Sequence, residues 1–245
     1  MKPWFTCIVI KSFWWECFEL GVKWSQKGNS YNHCQDFPMK ILEILRRNRA
    51  VNALVKWSRI DRLIDLCLSR FPLVRTTPNG LQYQISSASS LIVANEIFGM
   101  DCYGKAIRAV APKTFIDLGT NVGYFPVAVA EPLRSQGFKG LCVEPNPSLS
   151  DSVRFHITTN RLENVHFRQG AVGLRGASRE TDFYINPSHI ASSLSNRFNP
   201  LLPVVGKTKR ITVPMIDLPK EWDSLFPSER INLLKIDIEE KVGYV

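Results

Sequence analysis

Residues 115–125 read Phe115-Ile116-Asp117-Leu118-Gly119-Thr120-Asn121-Val122-Gly123-Tyr124-Phe125, an apolar run that breaks into a glycine-bearing turn. Gly119 and Gly123 let the backbone bend sharply and come close to a ligand. The helix expected to open at Tyr124 offers free N–H groups at its start. Glu144 stands 21 residues beyond Gly123, at the end of the next apolar run. An acidic side chain there can accept both hydroxyls of a ribose, as in dinucleotide-binding folds. Gly-x-Asn-x-Gly differs from the dinucleotide pattern Gly-x-Gly-x-x-Gly. The tighter spacing, with Asp117, suits a ligand with an amino acid end better than a pyrophosphate. A plain βα connection is the other reading of a glycine turn by itself, and Glu144 argues against it.

These residues need a frame, and the rhythm after residue 90 is α/β. Residues 113–118 and Leu141-Cys142-Val143-Glu144 read as buried strands, and 165–169 as a third. Helical stretches are expected over 90–98, 124–131 and 147–160, the last opening with Ser148 and Asp151 at capping-box spacing. Residues 179–185 and 209–216 read as two further strands flanking a Ser/Asn-rich loop, and 231–237 as the last buried strand. Such alternation implies βαβ units and a mainly parallel sheet. Before it, 39–71 shows apolar residues near helical spacing with Arg and Lys on the other face, read as two or three amphipathic helices. Thr77-Pro78-Asn79-Gly80 then supplies turn chemistry, and 80–85 alternates as a short strand would.

Three motifs in this order and spacing resemble the FkbM-type S-adenosylmethionine-dependent methyltransferases. They are Asp117-Leu118-Gly119-Thr120-Asn121-Val122-Gly123-Tyr124-Phe125, Val143-Glu144-Pro145-Asn146-Pro147 and Leu233-Leu234-Lys235-Ile236-Asp237-Ile238-Glu239. The segments 164–167, 171–173 and 191–194 fit between them, so the resemblance covers roughly 80–240. The first motif is common to many class I methyltransferases; the last makes the match specific. The resemblance implies a Rossmann-like class I methyltransferase fold that binds S-adenosyl-L-methionine. Asp117, Gly119, Asn121 and Gly123 would surround its methionine part and Glu144 would hold its ribose. Gly170 and Ala171 would lie by the adenine. Asp237 and Glu239 would sit near the sulfonium and the acceptor, a hydroxyl of a sugar or secondary metabolite.

Methyl transfer is an in-line displacement, so alignment of donor and acceptor supplies most of the help. A hydroxyl acceptor must also lose its proton as it attacks, and a carboxylate within reach can take it. Asp237 is the first candidate for that base and Glu239 the second. Sulfonium electrostatics and strand-end capping are their alternative roles. His33, His156, His166 and His189 form no mutual motif and are expected in surface or packing roles, although His189 could approach an acceptor. No metal-ligand spacing is present.

The pattern departs from the family after Glu239, where Glu240 replaces the usual Gly. Only strands 1 to 4 of the family's sheet order 3-2-1-4-5-7-6 are recognisable. The expectation is therefore a fold incomplete at the C-terminus, with strand 4 as an open edge and one sheet face short of covering helix. A truncated, catalytically inactive remnant that at most binds the cofactor is the alternative to an active methyltransferase.

The organisation expected is a Trp-rich extension over 1–38, disordered or mis-started upstream of Met39. A basic amphipathic helical segment over 39–79 and a partial methyltransferase domain over 80–245 follow. The net charge of +9 is uneven: residues 1–75 hold 13 Lys/Arg against 6 Asp/Glu. A basic, Trp-bearing N-terminal third invites weak membrane-surface contact through 1–75. No nucleic-acid partner is expected, because basic residues are not interleaved with aromatics on the α/β part. The six scattered cysteines include no C-x-x-C pair, which suits a reducing compartment and a cytoplasmic location.

Overall fold

The computed structural model describes residues 5–11, 60–173, 179–186, 192 and 208–237. Its centre is a five-stranded parallel sheet. The strands are β1 (Phe5–Lys11), β4 (Thr114–Leu118), β5 (Lys139–Glu144), β6 (Val165–Gln169) and β10 (Ile231–Ile236). They lie in the order β1-β10-β4-β5-β6. The architecture is mixed α/β with a parallel sheet, consistent with a Rossmann-like fold. Every residue of β4 is buried, as the continuous apolar pattern of a strand covered on both faces requires.

Helix α4 (Tyr124–Leu133) returns the chain from β4 to β5, and α5 (Ser150–Thr159) returns it from β5 to β6. Helix α4 is apolar on nearly all sides and sunk in the core. Pro132 sits one residue before its end, where the missing N–H costs little continuing helix. The expected box of Ser148 and Asp151 does not form. Asn146 takes the capping role instead, its Oδ1 accepting from the N–H and Oγ of Ser148 at the head of a 3₁₀ turn, Pro147–Leu149.

Register between β4 and β10 is set at their N-terminal ends. Asn232 Oδ1 accepts from the N–H of both Lys113 and Thr114, at 3.0 and 3.2 Å. Thr114 Oγ1 accepts from Asn232 N–H and donates to Arg230 O. This lock puts Lys235 opposite Asp117 and Leu233 opposite Phe115. Strand alternation then sends Phe115, Asp117, Cys142, Leu233 and Lys235 to the α4 face. Ile116, Leu118, Leu141 and Val143 go to the other face.

Two expectations are corrected here. The edge of β10 is not open: β1 pairs with it in parallel, Ile8 opposite Leu233 and Lys11 opposite Ile236. The second sheet face does not lack a helix, because α6 (Leu218–Leu225) covers it with Trp222 and with Phe226 just beyond its end. Asp217 caps α6 by accepting from Lys220 N–H, and Trp222 Nε1 donates to Glu229 O at 3.0 Å. The helix expected over 90–98 is present as α2 (Ala88–Ala94) and one π turn, Asn95–Gly99, with α3 (Gly104–Val110) after it. The strands read at 179–185 and 209–216 are present as β8 (Glu180–Ile185) and β9 (Lys209–Ile216). With β7 (Ala171–Val172) they make a second sheet, ordered β7-β9-β8. Of the helices expected over 39–71, α1 (Ile60–Arg70) is described; residues 39–59 lie outside the described residues.

A hairpin straps the outside of α4 and α5. Strand β2 (Leu73–Thr76) pairs with β3 (Gln82–Ile85) around the expected Thr-Pro-Asn-Gly turn. Asn160 exchanges two 2.7 Å bonds with the backbone of Gln82, and Tyr124 OH donates to Gln84 O. Thr77 and Asn79 both bond Glu131. The fully buried His156 ties this strap to the glycine turn: Gln84 N–H donates to its Nε2 at 2.9 Å, and its Nδ1 meets Val122 O at 2.8 Å. Nε2 therefore accepts and Nδ1 donates, which requires the neutral ring. Replacing His156→Leu strands a buried N–H and a buried C=O, so the variant should lose about 3 kcal/mol in urea unfolding. A loss under about 1 kcal/mol would show that water or repacking satisfies both groups.

Candidate functional site

The strand order reverses between β4 and β10, and crevices outside the carboxyl ends of strands at such a switch point are where open α/β sheets take ligands. The turn from 119 to 123 lies there. Gly119 and Thr120 donate to Val143 O at 3.0 and 3.1 Å, which folds the turn over the end of β5. Gly119, Asn121 and Gly123 all have positive φ, at 74°, 54° and 87°. At Gly123 a Cβ would stand 3.0 Å from the Cα of Val153 on α5, so only glycine lets α4 and α5 pack this closely.

Three carboxylates end on this side of the sheet, in three different surroundings. Asp117 is fully buried. Its Oδ1 accepts from Lys235 Nζ at 2.8 Å and its Oδ2 from Thr120 Oγ1. Glu144 is 6% exposed and accepts one N–H on each oxygen, from Asn121 at 2.8 Å and Asn146 at 2.9 Å. A carboxylate offers about four acceptor positions, so about two remain for a ligand. Asp237 is the open one: its side chain is 37% exposed and its Oδ2 stands 3.5 Å from Lys235 Nζ.

Burial acts on each group according to its partners. It pushes the Glu144 carboxyl up to about 7, against the pull of the Asn146 and Asn121 N–H groups. It also works against the Lys235 ammonium, yet the charges of Asp117 and Asp237 outweigh it and hold the lysine protonated well above its usual range. The Lys235 ammonium further donates to Gly119 O at 3.1 Å and stands 5.5 Å from the Phe125 ring centre and 5.9 Å from that of Tyr103.

Two buried polar atoms have no partner here. They are Asn121 Oδ1 and Asn146 Nδ2, one acceptor and one donor. Both belong to the residues whose N–H groups hold Glu144. Native proteins rarely leave such atoms unpaired, and a ligand that brings both donors and acceptors would satisfy them.

Of the residues expected at the site, Asp117, Gly119, Asn121, Gly123, Glu144 and Asp237 converge on the ends of β4, β5 and β10. Gly170 joins them through its N–H, which donates to Glu144 O at 3.0 Å. Its α-carbon faces β9, where a Cβ would meet Pro214 O at 2.7 Å. Ala171 turns its side chain into the small core of the second sheet, with Phe183 and Val213. Glu239 and His189 lie outside the described residues. Among the described residues no group of three or more His, Cys, Asp and Glu could hold a metal ion. No described helix is long and apolar enough to cross a membrane.

Sequence reading gave no role to Lys235, Thr120 or Asn146. Lys235 did carry a signal: it is a lone charge in the apolar run Leu233-Leu234-Lys235-Ile236. A lysine at a core-facing position of a strand demands a counter-charge. Which carboxylate answers depends on strand register.

No protein-family profile matches the chain, and no curated protein matches it. The FkbM resemblance therefore rests on the sequence motifs. One solved structure that the chain is similar to is described as the complex structure of aTrm5 and tRNALeu. The two are 16% identical with a TM-score of 0.29, and the match covers 39% of this chain and 26% of that one. The chain thus spans about a quarter of that protein's length. That structure is a complex with tRNA. The expectation of no nucleic-acid partner for this chain is not kept, because its basis was too narrow. The absence of interleaved basic and aromatic residues bears on stacked single strands, and it left other modes of nucleic-acid binding untouched.

Glu144 and His156 give stability opposite dependences on pH. Glu144, raised from 4.5 to about 7, binds a proton in the folded state that the unfolded state has released, so its contribution falls as pH rises from 4.5 through 7. Burial lowers His156 from 6.5 to about 4, so its contribution is lost as pH falls through that range. Each amounts to about 3 kcal/mol. The melting temperature should accordingly change little between about pH 4.5 and 6.5, whereas Glu144→Gln should melt at steadily higher temperature as pH rises there. Parallel curves for the two proteins would refute the assignment.

Proposed function

We propose that this chain binds S-adenosyl-L-methionine at the ends of β4, β5 and β10 and belongs by descent to the methyltransferases. The observation that carries the reading is the ring of unmet polar capacity around Glu144. The carboxylate retains free lone pairs, and Asn121 Oδ1 and Asn146 Nδ2 are buried without partners. A ribose offers two hydroxyl donors that suit Glu144. The chemistry of the donor set thus fits a nucleoside with vicinal hydroxyls. The glycine turn and the motif resemblance support an amino acid end on the same ligand.

When bound, the cofactor would supply an electrophilic methyl group on a cationic sulfur. The residues of the chain have separate tasks. Glu144 would hold the ribose, and the Gly119–Gly123 turn, its N–H groups largely committed to Val143 O, Glu144 and Thr120 O, would lie against the methionine end. Gly170, whose N–H is held by Glu144 O, would lie by the adenine, its lack of a side chain serving the close approach of β9. Asp237, the exposed carboxylate, would accept the proton of an attacking hydroxyl. Its negative charge also favours a cationic donor over the neutral product. A hydroxyl on a sugar or secondary metabolite is the acceptor that the FkbM resemblance supports.

Calorimetric titration with S-adenosylmethionine and S-adenosylhomocysteine tests the reading. Wild-type protein should bind both, and Glu144→Ala should weaken binding at least about tenfold, or about 1.4 kcal/mol. Affinity should rise with pH up to about 7 and then level off, because the ribose hydroxyls donate to the ionised Glu144 carboxylate. The absence of binding to either ligand would end this proposal.

A further inference from the structure

The buried lysine of β10 has no part in the scheme above, and its geometry assigns it one. Three oxygens surround Lys235 Nζ: it donates to Asp117 Oδ1 at 2.8 Å and Gly119 O at 3.1 Å, and Asp237 Oδ2 stands in ion-pair range at 3.5 Å. They come from the end of β4, the glycine turn and the end of β10. The opposite side of the ammonium faces the Phe125 and Tyr103 rings, and the residue is 3% exposed. Asp117 has both oxygens engaged within the protein and no exposed surface, so its side chain does not reach a ligand directly. Asp237 is fixed by its own N–H to Leu118 O at 2.9 Å, and its side chain opens to solvent.

We propose that Lys235 is a positioning residue, anchored by Asp117, that holds the Asp237 carboxylate and the Gly119 carbonyl in place for a cationic ligand. The inference rests on the reading of this site as an S-adenosylmethionine pocket. Two carboxylates against one ammonium leave one net negative charge, and Asp237 is where it meets the opening. A trialkyl sulfonium carries no N–H or O–H to direct a hydrogen bond. It is recognised by the placement of nearby negative charge, so a fixed Asp237 discriminates better than a mobile one. Asp117 acts through Lys235.

The test measures the ratio of affinities for S-adenosylmethionine and S-adenosylhomocysteine at one pH. Asp237→Asn should lower that ratio about fivefold, the scale of a single contact-range coupling. The double variant Asp117→Asn with Lys235→Met removes the buried charges together, so neither is left unpaired. It should already show the lowered ratio, and adding Asp237→Asn to it should change nothing further. Equal effects of Asp237→Asn in both backgrounds would overturn the proposal, and so would an unchanged ratio in the double variant. Asp237→Asn alone keeps the proposal falsifiable should the double variant not fold, because an unchanged ratio in that single variant also overturns it. Failure of the wild type to bind either ligand is a different result: it removes the pocket reading and this inference with it.

Discussion

The ion pair between Asp117 and Lys235 is the constraint around which the site is organised. Taking both charges out of water costs several kcal/mol per ion, and only good geometry with further hydrogen bonds offsets that cost. Both conditions hold here. The strands place the two residues directly opposite one another in parallel register. Thr120 satisfies the second oxygen of Asp117, Gly119 O accepts from Lys235, and Asp237 adds an ion pair at 3.5 Å. A slip of one residue between β4 and β10 would point one partner at the opposite face. The Asn232 and Thr114 bonds at the far ends of these strands oppose such a slip. Structure at one end of the sheet therefore secures charge placement at the other.

From that pair outward, three carboxylates on neighbouring strand ends differ in what they can do. Asp117 is saturated, Glu144 is buried with capacity to spare, and Asp237 is open. With nothing bound, burial raises the Glu144 carboxyl to about 7, since two N–H groups do not fully offset it. A ligand that donates hydrogen bonds to it would restore the charge.

The glycine turn is held from three directions. Val143 O takes its first two free N–H groups, Lys235 takes the carbonyl of Gly119, and His156 takes the carbonyl of Val122. The last contact runs on to the β2–β3 strap through Gln84. A turn so restrained is pre-organised, and binding to it costs little ordering entropy. The parallel pairing of β1 with β10 closes the edge beside the site, so the backbone groups of β10 are paired on both sides.

Much of this was legible in the residues. The alternation of apolar runs with helical stretches indicated the parallel sheet. The spacing of Gly119, Gly123 and Glu144 indicated that they gather at neighbouring strand ends, because strand-turn-helix geometry is local and follows from neighbouring residues. Other features were not local. That β1 would pair with β10 could not be read from Phe5–Lys11, since an apolar run carries no address for its partner. Helix α6 was overlooked because eight residues with a single large aromatic form too short a periodic pattern. The expected capping box at Ser148 yielded to Asn146, whose side chain accepts from both the N–H and the hydroxyl of Ser148 and so turns that hydroxyl away from Asp151. The sequence by itself determined which chemical groups gather where the strands end. Only the tertiary structure decided which carboxylate is neutralised, which is left able to accept and which faces solvent, because those states depend on register and burial across residues more than a hundred positions apart.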